Sequence, residues 1–318
     1  MAENSKIEWT HHTFNSWYGC QKVGAPCDNC YAESWADRFG MVQWGPHAER
    51  RRSSPAMWRL PLKWDAAAKA AGERHRVFSL SLGDWLDNQA PQQWRLDLAD
   101  LIEATPNLDW LLLTKRIQNF ERLAPWTVAP FNVWLGITCG DQDDYERDWP
   151  ILAGIRAPVR FISYEPALGP LRIVAASPPL PNWIICGGES GPNARPMNPE
   201  WARALRDDCR LNGVAFFFKQ WGEWLIAEGQ PEPEEWLYTF QDGTEFGNVS
   251  DGADIMLDAA YTHRGKPEKL WRDLWATGEG HLARRVGKHR AGRLLDGCEY
   301  SEFPRHPIAN EKSIAGGG

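Results

Sequence analysis

Leu108-Asp109-Trp110-Leu111-Leu112-Leu113-Thr114-Lys115-Arg116 sets the pattern of the chain: an apolar run of strand length that stops abruptly at a hydroxyl and two cations. Five further runs are built the same way: Val77 to Leu82, Asn132 to Ile137, Pro158 to Ile162, Asn182 to Cys186 and Val214 to Phe218. In chain order the six runs start 31, 24, 26, 24 and 32 residues apart. Runs rich in branched and aromatic residues, separated by segments of helical period, describe repeated βα units and hence a parallel sheet covered by helices. The last interval shows the helix signals most clearly. Asn198 is an N-cap, Pro199 follows at the first helical position, Trp201, Leu205 and Cys209 recur every fourth residue, and Gly213 ends the helix.

An α/β protein carries its chemistry beyond the carboxyl ends of its strands. Here those ends are polar: Gly83-Asp84, Thr114-Lys115-Arg116, Thr138-Cys139, Tyr164-Glu165-Pro166, Gly187-Gly188-Glu189-Ser190 and Lys219-Gln220-Trp221. With an early strand expected over Thr13 to Tyr18, the count reaches seven. The expected fold is therefore α/β, a full or partial TIM-like (βα) barrel of parallel strands spanning residues 1–224. Beyond Trp224 the rhythm stops, and residues 225–318 read as a C-terminal appendage. It contains the one strong basic run of the chain, Arg284, Arg285, Lys288, His289, Arg290 and Arg293.

Composition narrows the classes. The 318 residues are 43% hydrophobic, enough for a large core, and no apolar stretch approaches the length of a membrane span. MAENSKIEW has no apolar run of a signal peptide, so a cytoplasmic protein without membrane association is expected. The formal charge of −7 excludes a basic protein that coats nucleic acid unaided. Nineteen tryptophans belong to core and pocket walls or, in part, to stacking on bases and adenine rings.

Seven cysteines in a reducing compartment suggest metal or catalysis rather than disulfides. Three of them, Cys20, Cys27 and Cys30, crowd into GCQKVGAPCDNCYAE as C-x6-C-x2-C. Gly24 and Pro26 let the loop fold back, and Tyr31, Trp35 and Phe39 then mark an amphipathic helix ending near Gly40. Three thiolates on one loop hold three irons of a 4Fe-4S cluster and leave the fourth for an outside ligand, as a cluster that cleaves S-adenosylmethionine (SAM) requires. A structural zinc site is the competing reading; it needs a fourth ligand, which His11 or His12 would supply. A purely structural cluster is another.

IEWTHHTFNSWYGC, PCDNCYAE, LLLTKR, NVWLGIT, FISYEPALGP, WIICGGESGPNARPM, FFFKQWGEW and VGKHRAGRLLDG together resemble the phage-associated three-cysteine-motif family, whose members are phage proteins of unknown function regarded as radical-SAM-like. The resemblance runs over nearly the whole chain. It implies a 4Fe-4S cluster on Cys20, Cys27 and Cys30, SAM as second cofactor, an external electron donor and a partner protein. The phage setting, with the basic run near Arg284, points to a nucleic acid or nucleotide substrate. The spacing departs from the usual radical-SAM C-x3-C-x2-C. Gly187-Gly188-Glu189 follows a later strand than the Gly-Gly-Glu of that superfamily, so its role is not carried over.

Expected roles follow from position. Ser81 and Asp84 stand where SAM's amino group would be held, Thr114 joins them, and Gly187 and Gly188 let backbone approach a ligand. Lys115 and Arg116 bind SAM's carboxylate or a substrate phosphate, or else form a rim salt bridge with Glu165 or Glu189. Glu165 and Glu189 fix hydroxyls or an ammonium group, act as acid and base, or merely neutralise a lysine. Lys219 and Gln220, at the end of a very apolar strand, call for a partner or a ligand. Cys139 is a hydrogen-atom donor or a packing residue; Cys186 and Cys209 read as core. Two other functions remain open: a zinc- or cluster-stabilised nucleic-acid-binding protein, and a metal-independent lyase or hydrolase using Glu165, Glu189 and Lys219.

Overall fold

In a computed structural model, which describes residues 2–3, 5–173, 179–226, 238–239, 245–246 and 283–305, the apolar runs form one eight-stranded sheet. Its strands are β1 (Ala2–Glu3), β2 (His12–Phe14), β3 (His75–Ser79), β4 (Leu108–Thr114), β5 (Val133–Thr138), β6 (Val159–Tyr164), β7 (Trp183–Gly187) and β8 (Ala215–Gln220), hydrogen-bonded in that order. β1 pairs antiparallel with β2; all later neighbours are parallel. Five helices cover the sheet or its rim: α1 (Tyr31–Arg38), α2 (Leu60–Ala71), α3 (Gln92–Glu103), α4 (Gln142–Gly154) and α5 (Pro199–Asn212). The seven parallel strands curl into a half-barrel, a partial TIM-like barrel. It is open, because β1 and β8 are its two edges.

Alternation along each strand divides the core. One set of side chains, including Val77, Leu112, Leu135, Ile162, Ile184 and Phe218, packs against Trp64, Leu98, Leu152 and Leu205 of the helices. The other set, Phe78, Leu111, Trp134, Phe161, Trp183 and Phe217, lines the concave face with Trp9 and Phe303. Trp183 sits at its centre, edge-on to Trp9, Trp134 and Phe217. Gly136 makes room for this plug: a Cβ there would stand 2.3 Å from the Phe161 ring. Above the plug the same face turns polar at Thr138, Glu165 and Lys219.

The early strand differs from its expected span. His12–Phe14 enters the sheet, but Trp17–Tyr18 leaves it to pair with Arg51–Arg52. Asn15 makes the break, since its side chain accepts from the Leu82 backbone N–H at 2.8 Å and donates to Ser81 Oγ at 3.1 Å. In α5 the signals read from sequence are in place, with Asn198 accepting from the Glu200 N–H and Gly213 left-handed. In α1 the face is reversed. Ala32 and Ala36 are buried, while Tyr31, Trp35 and Phe39 are 55%, 36% and 56% exposed.

Much of the expected appendage lies outside the described residues. In its described part Ala283–Arg285 pairs with Trp224–Ile226 in a separate two-stranded sheet, and residues 300–302 run along the free edge of β8. Phe218 N–H donates to the Tyr300 carbonyl and Glu302 N–H to that of Phe216, which protects an edge otherwise open to association. No described helix is long and apolar enough to cross a membrane.

Candidate active site

The cysteine loop leaves the Trp17–Tyr18 strand at Gly19, whose φ of +103° and 3.0 Å clearance from Arg50 both call for glycine. It makes one tight turn at Ala25–Cys27 and ends at Cys30, the N-cap of α1. Long-range contacts hold it over the carboxyl ends of the strands. After β4, Arg116 donates to Cys20 Sγ at 3.3 Å and to the Gln21 carbonyl at 2.8 Å. After β7, Arg195 donates to the Ala25 carbonyl at 2.9 Å and to Asp28 at 3.1 Å. After β3, the Ser81 carbonyl accepts from Tyr31, and after β5, Pro26 lies against Gly140.

Two buried acids orient these arginines. Asp84 accepts from Thr114 Oγ1, the Leu86 and Lys115 N–H groups and Arg116. Glu189 forms a bidentate pair with Arg195, the two side chains only 5% and 4% exposed, and also accepts from Asn29 at 3.0 Å. Each carboxylate thus fixes a guanidinium, and each guanidinium fixes the loop. Arg195 and Asn29 were not singled out from sequence. Their signal was present in CDNC and GPNARP, but only the pairing of loops about 165 residues apart gives it meaning.

The cysteines differ in environment: Cys27 is buried, whereas Cys20 and Cys30 are partly exposed. Burial pushes the Cys20 thiol up to about 12, against the pull of the neighbouring Arg116 guanidinium. Among the described residues no three His, Cys, Asp or Glu side chains are placed to hold a single metal ion. The fourth zinc ligand expected of His11 or His12 is at the wrong end of β2, away from the cysteine loop. His12 Nε2 lies 3.1 Å from His75 Nδ1 and its ring stacks on Trp64, while His11 stacks on His75. A cuboidal cluster poses a different demand, because each sulfur binds its own iron and the three need not meet at one point. Three thiols on one pinned loop, with a cation donating to the first, fit that donor set.

Beside the loop the other expected residues fall into separate groups. Lys219 donates to Glu165 at 2.5 Å, so the rim salt bridge expected of Lys115 or Arg116 is made by Lys219 instead, while Arg116 pairs with Asp84 and Glu189 with Arg195. Gln220 donates to Ser190 at 2.9 Å and to the same Glu165 oxygen, and Glu165 Oε2 has no hydrogen-bond partner among the described residues. Gln220 Oε1 and Thr138 Oγ1 are buried without a partner among the described residues, so this mouth has polar capacity to spare. Gly187 borders Glu165, but the close approach at Gly188 is to protein: a Cβ would stand 2.1 Å from the Trp221 carbonyl oxygen. Ser81 Oγ is bonded to Asn15, and Thr114 to Asp84. Lys115 instead lines a cavity of about 400 Å³ with Gln21, Val23, Asn88, Arg116, Gln118, Asn119 and Arg147.

Cys139, Cys186 and Cys209 are fully buried in the helix-side core. Of the basic run, Arg285 donates to the Gly191 carbonyl and Arg293 pairs with Glu299, while Lys288, His289 and Arg290 form a short exposed helix end.

An open (βα) half-barrel with a three-cysteine loop clamped across its polar rim is the class that fold and site define. The chain belongs to the family described as Protein of unknown function (DUF5131), whose model matches residues 4–304. No curated protein matches it. Among solved structures it is similar to spore photoproduct lyase. A double mutant of that enzyme with bound AdoMet and dinucleoside spore photoproduct aligns at 11% identity and TM-score 0.39, over 67% of this chain and 57% of that one. A cysteine-to-serine mutant aligns at the same identity and TM-score, over 71% and 68%. In the first match the chain spans less than two thirds of the lyase.

Proposed function

We propose that this chain is a radical-SAM-type enzyme in which Cys20, Cys27 and Cys30 hold a 4Fe-4S cluster. The observation that carries the reading is the clamp: Arg116 and Arg195 hold the cysteine loop over the strand ends, beside a mouth with unpartnered polar atoms. When bound, the cluster would supply the electron that cleaves SAM to methionine and a 5'-deoxyadenosyl radical able to take hydrogen from a substrate.

The protein's own groups would act around that chemistry. Arg116 donates to Cys20 Sγ, and hydrogen bonds to cluster sulfurs raise the reduction potential, so it would tune the readiness of the cluster to give up its electron. Glu165 and Lys219 present opposite charges side by side, suited to orienting a zwitterion such as the amino acid part of SAM. Gln220 Oε1 and Thr138 Oγ1 would accept and donate to polar groups there. The aromatic plug beneath closes the half-barrel to water from below. Glu189 serves this site by holding Arg195.

The test is anaerobic reconstitution with iron and sulfide, then addition of SAM and dithionite and measurement of 5'-deoxyadenosine by mass spectrometry. The expected result is 5'-deoxyadenosine from the reconstituted protein and none from Cys27→Ala. Zinc without iron or sulfide in anaerobically prepared protein would sink the proposal.

A further inference from the structure

We propose that the cavity between the cysteine loop and the loop after β4 is a phosphate-binding subsite for a nucleotide. The chain as a whole is acidic, at −7, yet this cavity is lined by Lys115, Arg116 and Arg147 and by no acidic residue. Acids lie behind the lining: Asp84 holds Arg116, and Asp144 and Asp148 hold Arg147, so the guanidinium groups are oriented. Lys115 differs from both. Its ammonium has no acidic or carbonyl partner among the described residues, while its backbone N–H is fixed by Asp84. Arg116 is almost completely buried, and its guanidinium, held by Asp84 and the cysteine loop, gives this wall a fixed positive charge. A ligand that brings negative oxygens supplies the partner that the Lys115 ammonium lacks and is drawn by the two oriented guanidinium groups beside it.

The rest of the lining argues for more than a bare anion. Gln21, Asn88, Gln118 and Asn119 contribute four amides. Gln21 and Asn88 have no side-chain partner among the described residues, and side-chain amides offer the paired donor and acceptor that match the edges of nucleobases. A volume of about 400 Å³ lies within the ordinary range of small-molecule sites. Gln21 is the residue after Cys20, so a nucleotide held here lies against the cysteine loop itself. That the nucleotide is the substrate rests on the radical reading above; that the cavity takes its phosphate does not.

The full chain is titrated calorimetrically with adenosine 5'-monophosphate, adenosine and a single-stranded DNA tetranucleotide, as purified and again after anaerobic reconstitution. The monophosphate should bind at least tenfold more tightly than adenosine, and Lys115→Gln should weaken it at least tenfold. Lys63→Gln, on the exposed face of α2, should leave it unchanged. Tighter binding of the tetranucleotide assigns the phosphate to a polymer backbone; tighter binding of the monophosphate assigns it to a free nucleotide. Equal affinity for adenosine and its monophosphate, or equal behaviour of the two lysine variants, overturns the subsite. Phosphate-dependent binding in a reconstituted protein that forms no 5'-deoxyadenosine removes the radical reading and leaves the subsite standing; the reverse pattern removes the subsite alone.

Discussion

At the scale of single residues, two buried carboxylates, Asp84 and Glu189, act on the cysteine loop through the arginines they hold. Glu189 and Arg195 are both nearly inaccessible, and their pairing has its value in what Arg195 then holds, the Ala25 carbonyl and Asp28. Removing one partner of a buried pair leaves the other charge without compensation, at a cost of about 3–5 kcal/mol. Arg195→Ala should therefore lower stability by that order, measured by urea unfolding, and should also lower the iron retained after reconstitution. Lysine cannot reproduce the two-pronged contact, so Arg195→Lys should restore only part of the iron. If Arg195→Ala loses stability but binds iron in full, the residue supports the fold and not the site.

At the scale of elements, the parallel strands are buried on both faces, and their packing is set by volume. Gly136 is the clearest case, because the Phe161 ring occupies the space a side chain would take. Gly136→Ala should destabilise the protein by about 1–3 kcal/mol, the usual cost of overpacking, readable as a lowered thermal midpoint. Phe161→Leu should recover part of that loss by vacating the space. Helix α1 shows the opposite balance. Its small residues, Ala32 and Ala36, face inward so that the helix lies close beside the loop, and its aromatic side is left outside. Period alone announces such a helix; which side is buried depends on the space available beneath it.

At the scale of the whole molecule, the two ends of the sheet have different jobs. The carboxyl end carries the loop, the Glu165–Lys219 mouth and the Lys115 cavity, while the amino end carries His11, His12 and His75. Burial first, then neighbouring charges, lowers His11 and His12 to about 4. The unfolded chain takes up protons as pH falls through about 6.5, and the folded chain does so only near 4, so stability is complete above about 6.5 and drains away between these limits. For the buried His12 the loss amounts to about 3 kcal/mol across that window, and for the half-buried His11 to less. Unfolding followed from pH 7 to pH 4 should show this decline, and His12→Gln should flatten it. A pH-independent stability over that range would contradict the arrangement.

The number of the parallel strands, the helix over Pro199–Asn212 and the polar rim were legible in the sequence, because each depends on residues close along the chain: strand-length apolar runs, an N-cap with proline behind it, and a polar residue where each run stops. The three cysteines were legible for the same reason. What the sequence could not contain was pairing across distance. It did not say that Asn15 breaks the early strand, that Lys219 takes Glu165 while Lys115 has no acid partner among the described residues, or that Glu189 gives its oxygens to Arg195 and Asn29. Local pattern follows from steric and hydrophobic preferences over a few residues, whereas charge partners are chosen by the closure of loops that the folded half-barrel alone brings together.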